Sequence, residues 1–165
     1  MRVNVSDIVK VEGAGIDIQF CDDLPGLQEL YTSATFYPPF KFTGRIVNLG
    51  GLLKLSGMLH FEYSGSCLRC LKSIKDSLEV TIEESFVEAV DSEDSDAYTF
   101  EGNVVDIDRP LIDNIILAIP MTLLCSEDCK GLCSNCGNNL NIKNCNCDER
   151  EIVDPRMEIL KDFFK

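Results

Sequence analysis

The sequence predicts an α+β protein with an antiparallel, barrel-like sheet, one packed helix, a cysteine-rich loop and a C-terminal helix. Three observations lead to this prediction. Alternating apolar and polar residues, typical of strands, fill much of the first 90 positions. One later segment has helical spacing and ends at a proline, and six cysteines lie between residues 125 and 147. We expect residues 1–124 to form the sheet domain, 125–147 the loop, and 148–165 a tail with the last helix.

The strand predictions begin with residues 1–22, which suggest short strands around a turn at Gly13 and Gly15. The clearest element is a hairpin over residues 40–63. Its two alternating runs flank the pair Gly50-Gly51, and glycines favour hairpin turns because they tolerate positive φ. A third alternating run follows over residues 78–86. The segment from Cys67 to Cys70 is therefore expected in the turn between two strands.

Two helices are predicted after the strands. The first spans residues 109–119, with Asp108 as its cap and Pro110 in its first turn, where the missing amide donor costs little. Pro120 ends it. The second begins at Asp154-Pro155 and places an apolar stripe on one face, which is more typical of a helix that packs on its own domain than of a partner surface.

Composition narrows the class of protein. A chain of 165 residues with 45% hydrophobic and 26% charged residues is ordinary for a globular domain. No apolar run is long enough for a membrane helix, and the start lacks the apolar run of a signal peptide, so we expect a cytoplasmic protein. In that compartment nine cysteines point to metal binding rather than to disulfides.

The cysteine-rich loop predicts a metal centre. Cys133 and Cys136, followed by Gly137, have the spacing of a zinc knuckle, and Cys145 and Cys147 can face the same ion because residues i and i+2 of an extended segment point to one side. Four thiolates around Zn²⁺ form a site closed to water, which is typical of structural zinc. We expect four of six cysteines to bind zinc: Cys133, Cys136, Cys145, Cys147, Cys125 and Cys129.

Two alternatives for the other cysteines stay open. Cys125 and Cys129 can replace one pair of ligands, or can join Cys67 and Cys70 around a second ion. In the second case only Cys21 is left over, and it is expected to be a small buried hydrophobe. The rival interpretation makes Cys67 and Cys70 a redox pair. It is disfavoured because such motifs work best at a helix N-terminus, which lowers a thiol pKa, whereas this pair is expected in a turn between two strands.

The net charge of −13 argues against RNA binding through the overall field. However, basic residues outnumber acidic ones between residues 40 and 75. If the apolar residues of the hairpin face the core, its cations share the outer face, within reach of adjacent phosphates. The candidate RNA-binding residues are Lys41, Arg45, Lys54 and Arg69.

The order of these motifs resembles the YceD family of large ribosomal RNA subunit accumulation proteins. The segments that carry the resemblance are Cys67-Leu-Arg-Cys70-Leu, Ile116-Leu-Ala-Ile-Pro120-Met, Cys129-Lys-Gly-Leu-Cys133-x-x-Cys136-Gly-x-Asn-Leu-Asn141, Cys145-x-Cys147 and Asp154-Pro-Arg-Met-x-x-Leu-Lys161. This resemblance implies a bacterial or organellar factor needed for normal accumulation of large-subunit (23S) ribosomal RNA, without an assigned catalytic step.

We therefore expect a non-enzymatic ribosome assembly factor whose partners are large-subunit ribosomal RNA or ribosomal proteins. One histidine, no phosphate-binding glycine loop and no paired nucleophile and base agree with the absence of catalysis. The first alternative is an acidic adaptor that binds basic ribosomal proteins. The second is a thiol redox protein that uses Cys67 and Cys70.

Overall fold

The computed structural model describes residues 1–89 and 97–147. Its elements follow in chain order: β1 (Arg2–Asn4), α1 (Ser6–Val9), β2 (Gly15–Asp22), α2 (Leu27–Leu30), β3 (Thr35–Asn48), β4 (Leu53–Ser66), β5 (Ser73–Glu88), β6 (Tyr98–Phe100), β7 (Val104–Asp106) and α3 (Asp108–Ala118). The mixture of many strands and few helices confirms the α+β class. The predicted C-terminal helix lies outside the described residues.

Three long antiparallel strands, β3, β4 and β5, form the centre of the larger sheet. The predicted hairpin is confirmed, since β3 and β4 pair from Asn48–Leu53 outward and enclose Gly50 and Gly51, both at positive φ. Along both strands buried residues alternate with more exposed ones, so one face of the sheet is apolar. The turn after β4 contains Cys67 and Cys70, as predicted.

The prediction of a barrel-like sheet was wrong. The five strands lie in the order β2-β3-β4-β5-β6, so β2 and β6 are two separate edges of an open sheet. The last pairing, between β5 and β6, is parallel and covers only three residue pairs. A three-residue strand offers too few hydrogen bonds to continue the sheet round to β2, and β1 and β7 instead form a separate two-stranded sheet.

The core lies on the apolar face of the larger sheet. Helix α3 covers part of this face through Leu111 and Ile115, both fully buried. Asp108 is its first residue rather than its cap; the carboxylate of Asp106 accepts the main-chain N–H of Asp108 instead. Beside these residues, Asn114 donates to the carboxylate of Glu84, which lies on the same face of β5 as buried Ile82 and Phe86.

The α1 and α2 helices, each four residues long, were not predicted. Ile8 of α1 and Leu27 of α2 are buried in the same core as the long strands. Asn48 fastens α1 to the hairpin, because its Nδ2 donates to the carbonyls of Ile8 and Val9. Within residues 1–89 and 97–147, no helix is long and apolar enough to cross a membrane.

Candidate metal centres

The first cysteine set joins two distant parts of the chain. Cys67 and Cys70 lie in the turn between β4 and β5, while Cys125 and Cys129 follow α3. Their four Sγ atoms lie within 4.8 Å of one another, with 3.8 Å between Cys67 and Cys129 and 3.5 Å between Cys70 and Cys125. Cys67, Cys70 and Cys129 are buried and Cys125 is half-buried. We call these four residues the buried set.

Main-chain hydrogen bonds hold the segment after α3 against the β4–β5 turn. The N–H of Leu68 donates to the carbonyl of Leu123, and the N–H of Leu132 donates to the carbonyl of Arg69. The guanidinium of Arg69 returns across the same boundary and donates to the carbonyls of Glu127 and Cys129, each at 3.0 Å. These main-chain bonds and the side chain of Arg69 therefore hold the two halves of the buried set together.

The second set lies entirely within residues 133–147. The Sγ atoms of Cys133, Cys136, Cys145 and Cys147 also lie within 4.8 Å of one another. Cys136 is exposed and the other three are half-buried, so we call these residues the exposed set. A surface cavity of about 560 Å³ lies beside them, lined in part by Lys130, Asn135 and Asn144.

The two Cys-x-x-Cys turns have the same backbone. In the first, the N–H of Leu71 donates to the carbonyl of Cys67 at 2.9 Å; in the second, Gly137 donates to Cys133 at 2.9 Å. The N–H of each leading cysteine donates to the carbonyl five residues later, at 2.8 Å in both turns. Leu71 and Gly137 share a left-handed conformation, with φ of 58° and 72°. This repeated turn points both thiols of a pair in one direction.

The geometry of both sets fits a tetrahedral metal ion. Four thiolates at about 2.3 Å from Zn²⁺ are separated by about 3.8 Å from one another. The distances of 3.5 and 3.8 Å in the buried set are close to this value and far longer than a disulfide bond of about 2.05 Å. None of the nine cysteines, all of which lie in the described residues, forms a disulfide. Two groups of cysteines can therefore each hold a metal ion.

Hydrogen bonds prepare one thiol in each turn to ionise. Burial opposes ionisation of Cys67, but main-chain N–H groups of Cys125, Cys70 and Arg69 outweigh it and lower the pKa of Cys67 to about 6. The N–H groups of Cys136 and Asn135 likewise lower the pKa of Cys133 to about 6. These N–H groups stabilise the thiolate form that a metal ion requires.

One other thiol in each set resists ionisation in the absence of a cation. Hydrogen bonds with Cys129 and Cys70 raise the pKa of Cys125 to about 12, and a hydrogen bond with Cys136, together with burial, raises the pKa of Cys147 to about 12. Four sulfurs this close cannot all carry a negative charge unless a positive ion lies between them. Each set thus has the chemistry of a site that a metal ion can complete.

The comparison with protein families matches residues 55–164 to the model described as "Large ribosomal RNA subunit accumulation protein YceD". The chain belongs to the YceD family. The matched region includes β5, α3, both cysteine sets and all of β4 after Lys54. The resemblance inferred from the motifs is thereby confirmed.

Relatives of this YceD-family chain come from bacteria and plants. An uncharacterised protein of Mycobacterium leprae is 24% identical over 131 residues, covering 76% of this chain and 59% of that protein. The uncharacterised protein YlbN of Bacillus subtilis is 30% identical, covering 60% and 59%. "Large ribosomal RNA subunit accumulation protein YCED homolog 1, chloroplastic" of Arabidopsis thaliana is 37% identical over 62 residues, covering 38% and 19%.

The chain spans about half the length of the curated mycobacterial relatives that it matches. No solved structure matches it.

The structure divides the predicted ligands of this YceD-family chain into two groups. Cys133, Cys136, Cys145 and Cys147 come together, as expected for one site, and Cys125 and Cys129 join Cys67 and Cys70, as in the two-ion alternative. Binding of metal by either group stays a prediction. Cys21 was expected to be buried, but its side chain is exposed on the edge strand β2.

The structure places the candidate RNA-binding residues in two environments. Lys41, Arg45 and Lys54 do lie on the outer face of the hairpin, but Arg45 pairs with Asp17 at 3.5 Å and Lys54 with Glu83 at 3.1 Å. Arg69 binds carbonyls beside the buried set. Lys41 has no ion pair among the described residues. Acidic neighbours therefore offset much of the predicted basic patch, and its role in RNA binding stays a prediction.

Three residues around the metal centres escaped the sequence analysis. Arg69 was assigned to RNA, yet it closes the buried set. Leu71 takes the left-handed conformation that Gly137 marks in the second turn, and the equivalent spacing after Cys70 was the available signal. Asn141 donates from Nδ2 to Sγ of Cys129 at 3.3 Å. No local sequence pattern predicts that contact, because Asn141 reaches Cys129 only through the course of the loop that carries the exposed set.

Proposed function

We propose that this YceD-family chain is a non-enzymatic factor that supports accumulation of large-subunit (23S) ribosomal RNA and contains two structural zinc ions. The observation that carries the proposal is the family match over residues 55–164, which includes both cysteine sets. The names of the chloroplast relatives of Arabidopsis thaliana and Zea mays agree with this role. The chain spans only about half the length of its mycobacterial relatives. Its binding partners are therefore proposed here together with its role.

Zinc is the metal that best suits both sets. Thiolate ligands in a tetrahedral arrangement favour Zn²⁺ or an iron–sulfur centre, and the spacing of single sulfur atoms suits one small ion. A set of four thiolates fills the coordination shell and leaves no position for water or substrate. The proposed role of the metal is therefore to hold residues 123–147 against the sheet rather than to perform chemistry.

The purified protein, handled without chelator, should contain two zinc ions per chain. Elemental analysis measures this number directly, and alkylation of the native protein should leave the eight clustered cysteines protected while exposed Cys21 reacts. A zinc content near zero, with nine reactive thiols in a folded protein, would disprove the metal part of the proposal.

The ribosomal part of the proposal requires a separate test. In sucrose-gradient sedimentation of cell extract, the protein should move with precursors of the large subunit and not with free small subunits. Deletion of its gene should lower the ratio of large-subunit to small-subunit ribosomal RNA. Sedimentation only with free proteins at low salt, and an unchanged ratio after deletion, would exclude this role whatever the zinc content.

The first candidate for how the protein acts is direct contact with RNA through the outer face of the hairpin. Lys41, which has no ion pair within residues 1–89 and 97–147, can bind a phosphate, and Arg45 and Lys54 can exchange weak, exposed ion pairs for phosphates. Reversal of charge at Lys41, Arg45 and Lys54 should abolish salt-sensitive binding to large-subunit RNA fragments. The matched control reverses three exposed cations elsewhere: Lys10, Arg109 and Lys143. Equal binding by both variants would exclude the hairpin as the RNA surface.

An acidic adaptor for basic ribosomal proteins is the second candidate. The observation in its favour is a set of acids on the outer face of the sheet: Asp17, Glu62, Glu79 and Glu83. Three of them pair with lysine or arginine, and Glu79 lies beside His60. Together with the net charge of −13, they give the protein a field that attracts cationic partners. If wild-type protein binds no RNA but binds basic large-subunit proteins in a salt-sensitive manner, this candidate replaces RNA contact.

Thiol redox chemistry at Cys67 and Cys70 remains the third candidate. Its weakness is geometric, since the close sulfur contacts of these residues are with Cys129 and Cys125, and no helix begins at the pair. Reduction of a model disulfide by the zinc-loaded protein at a rate that depends on Cys67 would favour it. An inert zinc-loaded protein would exclude it.

A further inference from the structure

One side chain connects the two cysteine sets. Asn141 belongs to the segment between Cys136 and Cys145 of the exposed set, yet its amide Nδ2 donates to Sγ of Cys129 in the buried set at 3.3 Å. The same amide also donates to Oδ1 of Asn139 at 2.8 Å. The loop of one candidate site thus supplies a hydrogen bond to a ligand of the other.

The backbone around Asn141 holds this contact in place. Its Oδ1 accepts the main-chain N–H of Lys130, the neighbour of Cys129, at 2.8 Å. The N–H of Leu140 donates to the carbonyl of Gly131, and Leu132 and Asn139 form an antiparallel bridge. Residues 139–141 therefore lie along residues 130–132. This pairing fixes Asn141 relative to Cys129 only while the segment from 137 to 144 keeps its course.

Hydrogen bonds to a metal-bound thiolate influence how tightly the metal is held. An N–H donor stabilises the charged sulfur and orients its lone pairs, and loss of such a partner typically lowers metal affinity about 10–100-fold. Cys136 and Cys145 are the two ends of the segment that carries Asn141. Closure of the exposed set on an ion fixes both ends and so reduces the number of conformations in which Asn141 is away from Cys129.

We propose that Asn141 is a positioning residue of the buried set and that it makes the two sets bind metal cooperatively. The inference rests on the structural metal proposed above. Metal in the exposed set strengthens metal binding by the buried set, and thermodynamic linkage requires that the buried set strengthens the exposed set by the same factor. The exposed set is then more than a separate stabiliser of its own loop.

The experiment compares zinc release from the buried set in four full-length proteins. They are the wild type, Asn141→Ala, Asn141→Asp and the matched control Asn144→Ala. Asn144 is exposed in the same segment, and no hydrogen bond of its side chain to either set occurs in the described part of the chain. Titration with a competing chelator, read by alkylation and mass spectrometry of Cys67, Cys70, Cys125 and Cys129, reports on the buried set alone.

Asn141→Ala should lower the zinc affinity of the buried set about 10-fold, and Asn144→Ala should leave it unchanged. Asn141→Asp preserves the shape and the acceptor for Lys130 but places a carboxylate beside a thiolate, so it should lower the affinity at least as much. In Co²⁺-substituted protein, both Asn141 variants should shift the sulfur-to-metal charge-transfer band. A residue that only supports the loop would tolerate aspartate and would not shift the band.

A second-site variant completes the test of cooperativity. Replacement of Cys145 and Cys147 by serine should lower zinc affinity of the buried set about 10-fold and should make Asn141→Ala nearly silent in that background. If the buried set binds zinc equally well with and without the exposed set, the two sites are independent and this inference is wrong, while the zinc proposal stands. A wild type without any bound zinc overturns both.

Discussion

The two Cys-x-x-Cys turns have the same main-chain hydrogen bonds but lie in different surroundings. The turn at Cys67 connects the 14-residue strand β4 to the 16-residue strand β5 and contains two buried thiols. The turn at Cys133 lies outside the sheets, and its thiols are exposed or half-buried. Arg69 and the sheet hold the first turn, whereas the second depends on pairing with its own loop.

This difference shows that a local turn and its stability are separate properties. The Cys-x-x-Cys segment itself determines the direction in which its two thiols point, because the same main-chain hydrogen bonds form in both turns. The stability of the turn depends on the residues that pack around it. The cysteines of the buried set pack against Ile74, Leu124 and Leu132. We therefore expect the buried set to behave as part of the fold and the exposed set to behave as an addition to it.

The largest expected effect is the loss of the buried set. Replacement of Cys67 and Cys70 by serine should remove one zinc ion and free residues 123–132 from the sheet. Metal present at about 1,000 times its Kd stabilises a protein by about 4 kcal/mol, so the melting temperature should fall by roughly 8–16 °C. Elemental analysis and differential scanning calorimetry measure the two changes.

The matched control for that experiment replaces Cys133 and Cys136 by serine. It should also remove one zinc ion, but the melting temperature should fall by only about 3–6 °C, which corresponds to a roughly 10-fold weaker zinc affinity of the buried set. The effect is smaller because residues 133–147, all of which the structure describes, contribute no side chain to the main core cluster. Equal losses in the two variants would show that the surroundings of the two turns do not matter.

The second prediction concerns the acidity of the two leading thiols after metal removal. Both have a pKa of about 6 in the folded turn, below the ordinary value of about 8.5 for a thiol. A lowered pKa stabilises the fold above the unfolded pKa, and this stabilisation is lost as pH falls through about 6. The metal-free turn at Cys67 should keep its hydrogen bonds because the sheet holds it, whereas the turn at Cys133 should loosen.

Alkylation rates measured as a function of pH, with mass spectrometry of each cysteine, test this expectation. In metal-free protein the midpoint for Cys67 should stay near 6, while that for Cys133 should move toward the ordinary value. Identical midpoints for the two thiols would show that the exposed turn is as rigid as the buried one.

The smallest expected effect separates the left-handed residues of the two turns. Gly137 has open space beside its Cα, where an added Cβ would meet no atom within 4 Å, so Gly137→Ala changes only the conformational preference. A residue other than glycine at positive φ costs about 1–2 kcal/mol, which should weaken zinc binding by the exposed set roughly 5–30-fold. Leu71→Gly relieves the same strain and should leave the buried set at least as tight.

Chelator competition on both variants provides the measurement. A loss of affinity in Leu71→Gly, comparable to that in Gly137→Ala, would mean that the exposed side chain of Leu71 contributes to the site itself.

Sequence patterns predicted the parts of this fold that depend on neighbours in the chain. Alternation along β3 and β4 with Gly50-Gly51 predicted the hairpin, and the spacing before Pro120 predicted α3. Closure of the sheet was wrong because it depends on which strands meet at the edges. The parallel pairing of β5 with β6 brings together residues that no alternation pattern connects. The short helix α1 is held by Asn48, which is 40 residues away from Ile8.

In the candidate metal centres, too, sequence predicted the local contacts and missed the distant ones. Spacing grouped the ligands of the exposed set, since Cys133 to Cys147 are local. The partners of Cys67 and Cys70 could only be given as one of two alternatives, because the sequence does not say where the segment after α3 lies. For Arg69, the sequence offered only a positive charge; the carbonyls of Glu127 and Cys129 that it binds are 58 and 60 residues away.

The wide separation of the cysteines in the buried set has a consequence during protein synthesis. Cys70 and Cys125 are 55 residues apart, and a ribosome adds about 5–20 residues per second. Cys67 and Cys70 therefore wait roughly 3–11 s for the other two ligands to be made. During that interval the nascent chain presents two thiols without their partners, open to oxidation or to a wrong metal. If the buried set holds zinc as proposed, the supply of zinc would decide how many new chains complete this site.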